Sequence, residues 1–237
     1  MVEAKRNKLY FQGQKISPVK DTDAREYELL MRQDVDGVPC FPYSDFLEIM
    51  TNHDRHKAYM EDVYVFLKDV LAKNPTDIFS FNLEYQELFY EETFDVLNRF
   101  DDSEKARLKM ELTERLPLQR CNCYDEFLPK EQIAKLSKLG YAVVLDDFLI
   151  GMNTLAGLFD VQEYVSRIKV SVLQLKKHMS LVTILDILRV TIGGLDSLDL
   201  EVVIEGVEDQ DLLATLPTGW RQQSFYYSNP ENLIPIE

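Results

Sequence analysis

The sequence predicts an α/β protein whose strands close into a barrel that begins with one antiparallel strand. Three observations carry that expectation. Short apolar runs alternate with helix-length amphipathic stretches, which marks successive βα units and a parallel sheet. Near the start, strands expected over 9–16 and 25–33 are separated only by the turn 17–23, which contains Pro18. A link that short permits a hairpin, because a parallel crossover needs a dozen or more residues. Polar or charged side chains then recur at strand ends: Phe79-Ser80-Phe81-Asn82, Leu108-Lys109-Met110-Glu111, Ala142-Val143-Val144-Leu145-Asp146-Asp147, Arg167-Ile168-Lys169 and Glu201-Val202-Val203-Ile204-Glu205, with Glu28 in Tyr27-Glu28-Leu29-Leu30. In a barrel those ends converge on one face, where active sites are built.

The elements follow in order. From 43 to 73 apolar positions recur at helical spacing, and Asn74-Pro75 closes the segment. Strands are expected near 77–83, 107–113, 142–147, 167–171 and 201–206. Helices are expected between them near 85–100, 126–139, 153–160, 173–193 and 208–216, with a last short strand near 222–226. No low-complexity linker and no shift of composition interrupts residues 1–237, so one domain is expected.

Composition narrows the class. A length of 237 residues suits one (β/α) barrel or one open α/β domain, and 46% hydrophobic residues suit a packed core. No apolar stretch reaches the roughly 18 residues of a membrane span. Lys5-Arg6-Asn7-Lys8 is followed by too brief an apolar run for a secretory signal. The net charge of −15 argues against DNA as a partner, since backbone binding needs a basic face. A small phosphorylated ligand stays open, because divalent cations reverse the sign of a local field. Cys40, Cys121 and Cys123 cannot form a disulfide framework, and a lone Cys-x-Cys is weak support for zinc. A reducing, cytoplasmic setting is expected.

Any one strand-terminal acid is usually solvated or caps the next helix, and Lys169 alone could simply snorkel. Several oxygen ligands beside a single lysine instead suit a hard divalent cation. His53 and His56 share a helix face with no third ligand in view, so a polar helix surface is expected there. Tyr85, Phe89 and Phe94 on one helix are expected to pack in the core.

Tyr27-Glu28-Leu29-Leu30-Met31-Arg32 resembles the x-E-A-L-x-R signature of the EAL family of cyclic di-GMP phosphodiesterases. The resemblance continues in order: Asn82-Leu83 for N-L-S, Glu111-Leu112-Thr113-Glu114 for E-x-T-E, and Asp146-Asp147-Phe148 for D-D-F-G. Lys169 follows for K-x-D, Glu205-Gly206-Val207-Glu208 for E-G-V-E, and residues 223–230 (QSFYYSNP) for Q-G-Y-x-x-S-x-P. Each motif is weak alone; their order across nearly the whole chain is not. The resemblance implies a modified (β/α)8, TIM-like barrel with one antiparallel strand. It also implies hydrolysis of cyclic di-GMP to linear pGpG at a two-metal site holding Mg²⁺ or Mn²⁺.

By resemblance, Glu28, Asn82, Glu111 and Asp146 hold one cation, and Asp146, Asp147 and Glu205 the second. Lys169 orients the nucleophilic water and steadies charge on the phosphoryl group. Glu114 steadies the loop after Asp147, while Glu208 and Gln223 bind water or support the ligands. Gln12, Arg32 and Gln223 correspond to substrate-contacting positions. The loop after Asp147 is the family's dimer contact, so a homodimer is expected.

Several departures lie close to these residues. Leu29 replaces the alanine of E-A-L. Phe148-Leu149-Ile150-Gly151-Met152-Asn153 stands for F-G-T-G-Y-S, and Leu149 forfeits the freedom a glycine has at φ > 0. K-x-D has become Lys169-Val170-Ser171, and Q-G-Y has become Gln223-Ser224-Phe225. With the ligands kept and their loop altered, slow hydrolysis favouring Mn²⁺ is expected. The alternatives are a weak or inactive EAL-like module that binds cyclic di-GMP or a protein partner, and, more distantly, another metal-dependent barrel hydrolase.

Overall fold

The computed structural model describes residues 9–20, 25–118, 128–195 and 198–234; Cys121 and Cys123 lie outside them. β1 (Tyr10–Lys15) runs antiparallel to β3 (Glu26–Val35), with Gln14 opposite Glu28. Past Ile16 the chain continues as β2 (Ser17–Pro18), antiparallel to β10 (Arg221–Gln223). Between them lie β5 (Ile78–Leu83), β6 (Leu108–Leu112), β7 (Ala142–Leu145), β8 (Val165–Ser171) and β9 (Glu201–Glu205). Neighbours from β3 through β10 are parallel, in the order β3-β5-β6-β7-β8-β9-β10. The first stretch therefore spans the seam, antiparallel to both neighbours, and brings the sheet to near closure. Residues 17–18, expected as turn, are strand, which leaves neither β3 nor β10 as a bare edge.

A short strand, β4 (Val38–Cys40), extends β3 through Asp36-Gly37, both at positive φ (53° and 82°). That Asp-Gly pair is the chemistry of a tight hairpin turn. The helical stretch 43–73 is two helices, α1 (Tyr43–Thr51) and α2 (His53–Lys73), because Asn52 takes extended backbone between them. Its side chain accepts the Arg55 amide at 3.1 Å and caps the second helix. Residues 85–100 likewise divide into a 3-10 turn, Tyr85–Phe89, and α3 (Glu91–Leu97). A short α4 (Asp102–Lys105), closed by an Asp101/Glu104 capping box, was not foreseen. α5 (Lys130–Lys138) and α6 (Leu155–Val161) follow, then α7 (Val172–Leu175) and α8 (Leu181–Gly193), separated at the Ser180 cap. α9 (Gln210–Leu213) precedes β10. No helix among the described residues is long and apolar enough to cross a membrane.

Strand alternation sorts side chains between two environments. Phe79, Phe81, Met110, Leu112, Val143, Ile168, Val170 and Ile204 join the core with Val63 and Leu67 of α2, Ile133 and Leu136 of α5, Leu158 of α6 and Ile184 of α8. Tyr85 and Phe94 are buried there too, on two elements rather than one helix. The opposite faces line the barrel axis in layers. At the N-terminal floor Arg167, wholly buried, meets Glu26 and Glu201 at 2.6 Å each, flanked by Lys109 and Arg221. Ile16, Val144 and Val203 are also wholly buried, apart from the helix–sheet core. The strand-end acids lie above the floor.

His56 corrects an expectation. It shares a face of α2 with His53, but it is wholly buried: Nδ1 lies 3.0 Å from Glu92 Oε1 and Nε2 lies 3.0 Å from Glu87 Oε1. His53 shares Glu92 from the exposed side. The carboxylates arrive from the 3-10 turn and α3, more than thirty residues on, where periodicity within α2 cannot show them. Each ring nitrogen faces a carboxylate, an arrangement that favours the protonated ring. Burial alone would lower its pKa; Glu87 and Glu92 outweigh that and raise it. Its contribution to stability is complete below the ordinary value near 6.5 and is lost as pH rises through the higher folded value. His56→Gln is expected to cost about 2–3 kcal/mol at pH 6 and clearly less at pH 9, measured by urea unfolding. An equal cost at both pH values would mean that the ring is neutral.

Candidate metal centre

The C-terminal mouth gathers one side chain from nearly every strand. Glu28 lies in β3, Asn82 near the end of β5, Glu111 in β6, Asp146 just after β7, Lys169 in β8 and Glu205 at the end of β9. Register sets Asn82 beside Glu111, and both Ser171 and Gln223 beside Glu205. Glu28, Glu111 and Asp146 each offer an oxygen within 4.8 Å of the others. Asn82 Nδ2 donates to Glu28 Oε1 at 2.8 Å, which leaves its carbonyl oxygen for a cation. Gln223 donates to Glu28 Oε2 at 2.7 Å and to Gln14 Oε1 at 3.1 Å.

Lys169, wholly buried, sits among the acids. Its Nζ lies 2.9 Å from Glu28, 2.7 Å from Glu111, 3.0 Å from Asp146 and 2.7 Å from Glu205. Burial opposes its charge, but the four carboxylates prevail and hold its pKa well above the ordinary lysine value. An ammonium has three donors and here faces four carboxylates. Glu28 and Glu111 take aligned hydrogen bonds, whereas Asp146 Oδ1 and Glu205 Oε1 meet the ammonium as ion pairs with poorer alignment and have no other donor. Glu111 Oε1 and Asp147 Oδ1 are also buried without a donor.

The charge balance shows in the titration of these groups. Burial, joined by the charges of Glu28 and Asp146, pushes Glu111 up to about 7. Burial, with Asp146 and Glu114 nearby, pushes Asp147 to about 7. Glu205 is raised well above the carboxylate range and Asp146 is raised, in both cases chiefly by burial. At Glu28 the balance reverses: burial raises its pKa, but Lys169 and hydrogen bonds from Asn82, Lys169 and Gln223 bring it below the usual value. Orphaned buried oxygens, an all-oxygen donor set and excess negative charge fit hard divalent cations such as Mg²⁺ or Mn²⁺.

The loop after Asp147 has the backbone that its sequence made costly. Asp147, Leu149 and Gly151 have φ of 43°, 78° and 52°. A Cβ on Gly151 would stand 2.0 Å from the Glu114 carbonyl, which also accepts the Met152 amide at 2.8 Å, so only glycine fits. Leu149 pays the left-handed penalty, about 1–2 kcal/mol. Its side chain packs on the core and offsets part of that. Leu149→Gly, best with Ile150→Thr, is expected to raise Mn²⁺ affinity or turnover around tenfold, at about 1.4 kcal/mol per decade. Steady-state kinetics across a metal titration, with melting temperature alongside, test this; a folded variant identical to the parent would show the loop already competent.

Other sequence candidates fall at the rim. Gln12 and Arg32 lie on the face of the β1–β3 hairpin that carries Gln14 and Glu28; Gln12 reaches Asn232 at 3.3 Å, and Arg32 reaches the Met31 carbonyl at 3.0 Å. Glu114 anchors the loop through its backbone carbonyl, and its charge acts on Asp147. Glu208 is exposed on the segment after β9 and is not part of the cluster. Ser224 is buried and turned to Gln222, away from the acids. Gln14 was missed; its position opposite Glu28 in the hairpin was the available signal. Asn153, also missed, carried none beyond its place in the altered loop.

An α/β barrel with a carboxylate-lined C-terminal mouth defines the class, and residues 1–218 match the EAL domain. The chain belongs to the EAL domain family. No curated protein matches the sequence. Among solved structures, it is similar to the cAMP-bound form of the EAL enzyme Bd1971, with TM-score 0.69 and 20% identity, over 95% of this chain and 64% of that one. It thus spans under two thirds of that relative. It is also similar to a standalone EAL protein of Vibrio cholerae O395 bound to c-di-GMP, with TM-score 0.71 and 20% identity, over 97% and 95% of the two chains. BlrP1 of Klebsiella pneumoniae, in a manganese and cyclic di-GMP complex, matches with TM-score 0.71 and 21% identity, over 96% and 57%.

Proposed function

We propose that this protein is a metal-dependent phosphodiesterase that opens cyclic di-GMP to linear pGpG. The cluster of Glu28, Glu111, Asp146 and Glu205 around Lys169 carries the reading, with Asp147 beside it. Relatives of the same fold bound to cyclic di-GMP support the substrate. Glu28, Asn82, Glu111 and Asp146 would hold one cation, and Asp146, Asp147 and Glu205 a second. Bound there, the pair supplies a water activated near neutral pH and neutralises phosphoryl charge.

The chain's own residues do the rest. With cations held by those carboxylates, Lys169 would keep N–H donors for the attacking water and a phosphoryl oxygen. Gln223 and Asn82 fix the Glu28 carboxylate from both sides. Gln12 and Arg32, at the hairpin rim, contact the nucleotide. Leu155 and Phe159 of α6, exposed just past the Asp147 loop, offer an apolar face for a homodimer.

Strain at Leu149 favours the second reading, a module that binds the nucleotide without efficient turnover. Incubation with cyclic di-GMP and Mn²⁺, followed by chromatography for pGpG, separates them. Metal-dependent product supports the enzyme. Tight binding without product under any metal condition supports the module.

A further inference from the structure

We infer that Asn153, bonded to Tyr85, is a positioning residue for Asp146 and Asp147; this deepens the metal-dependent reading and rests on it. Asn153 is wholly buried, and both ends of its carboxamide are used. Nδ2 donates to the backbone carbonyls of Leu112, at 2.8 Å, and Asp146, while Oδ1 accepts the Tyr85 hydroxyl. Those carbonyls lie where β6 and β7 end; the Leu112 carbonyl also accepts the Asp146 amide at 3.0 Å, whereas Asn153 is the donor to the Asp146 carbonyl, and a buried carbonyl without a donor is costly.

The Asn153 backbone closes the loop as well. Its N–H donates to Ile150 at 3.0 Å, and its carbonyl accepts the Leu149 amide at 2.7 Å. Left-handed backbone at Asp147 and Leu149 persists only where the surroundings over-determine it. Here Phe148 N–H donates to the Lys169 carbonyl at 2.7 Å and Met152 N–H to the Glu114 carbonyl at 2.8 Å, while the Asn153 side chain adds the bond that holds the Asp146 carbonyl directly before the loop.

The Tyr85 end is itself anchored. Tyr85 is wholly buried in a 3-10 turn where Glu87, paired with His56, accepts the Glu84 amide at 2.7 Å. Asn82 stands three residues earlier. One Tyr–Asn pair therefore ties the ends of β5, β6 and β7, which carry Asn82, Glu111 and Asp146. The residue type is restricted: ionised aspartate would set a carboxylate against two carbonyl oxygens, and serine has a single donor.

The test is calorimetric titration of Mn²⁺ into the parent, Tyr85→Phe, Asn153→Ala and the double variant, with melting curves and kinetics. Two bound Mn²⁺ are expected in the parent. Tyr85→Phe should weaken one of them about fivefold and Asn153→Ala about tenfold or more, on the scale of one and of several hydrogen bonds. Turnover should fall with KM nearly unchanged, and the double variant should be no worse than Asn153→Ala. Should Asn153→Ala fail to fold, Tyr85→Phe carries the test, since it removes one hydroxyl from an unchanged ring. Folded variants that bind both Mn²⁺ with parental affinity overturn the positioning role alone. A parent that binds no Mn²⁺ overturns the metal reading and this inference with it.

Discussion

Lys169→Ala and Glu205→Gln are each expected to reduce hydrolysis of cyclic di-GMP at least ~100-fold, with nucleotide affinity changed far less. Among the described residues Lys169 is the one cation paired with all four carboxylates, and Glu205 lies 2.7 Å from its Nζ. Removing the ammonium also leaves those acids to repel one another. Without metal at pH 8, Lys169→Ala should therefore melt below the parent, and Mn²⁺ should close most of that gap. Because Glu111 and Asp147 hold their protons to about pH 7, cation binding must expel them. Mn²⁺ affinity of the parent should accordingly rise with pH through 7. Parental turnover in both variants would remove the proposed mechanism, and pH-independent Mn²⁺ affinity would mean that Glu111 and Asp147 are already ionised at neutral pH.

The barrel was legible because its signals are local. Runs such as Ala142-Val143-Val144-Leu145 have strand length and composition, and the gap at 17–23 admits only a hairpin. What escaped depends on contacts between distant segments or on caps read too coarsely. Asn52 and Ser180 break long apolar periodicities into separate helices, and both are plain capping residues. Asp36-Gly37 was an equally plain hairpin turn. The pairing of Ser17-Pro18 with β10 has no local signature, since its partner lies two hundred residues away.

The acids of the mouth were legible for a different reason: strand ends in a barrel share one face, so a residue's place in its strand fixes its place in the site. Leu149 was readable as costly before its φ of 78° was seen. His56 was not, because burial under Glu87 and Glu92 is a property of packing between helices. Asn153 was hidden likewise, its partners lying on two strands and a 3-10 turn. The charged floor was overlooked although Glu26, Lys109, Arg167 and Glu201 each precede a mouth residue on the same strand, by two positions in β3, β6 and β8 and by four in β9.

That floor carries the largest expected effect on stability. Arg167 is wholly buried, bonded to Glu26 Oε1 at 2.6 Å and forked onto Glu201 Oε2 through Nε and NH2 at 2.8 and 2.6 Å. Burial alone would raise both acids, yet Arg167, with Lys109, outweighs it, so Glu26 is lowered and Glu201 falls to about 2, helped there by Arg221. Arg167→Ala leaves Glu26 buried with weaker partners and should cost about 3–5 kcal/mol by urea unfolding at pH 7. Replacing the charge and its partner together, as Arg167→Met with Glu26→Gln, should recover much of that loss. With folded pKa values below the unfolded ones, these acids give stability that is complete above the unfolded values and lost as pH falls. The Arg167→Ala deficit should therefore shrink at pH 4, where Glu26 can take a proton. The floor's ion pairs run among Glu26, Lys109, Arg167, Glu201 and Arg221 and not to the mouth acids, so Mn²⁺ affinity should be nearly unchanged in any variant that folds. A loss under 1 kcal/mol at pH 7 would mean that Lys109 and Arg221 suffice to hold Glu26, and the floor would then be a redundant network rather than one centred on Arg167.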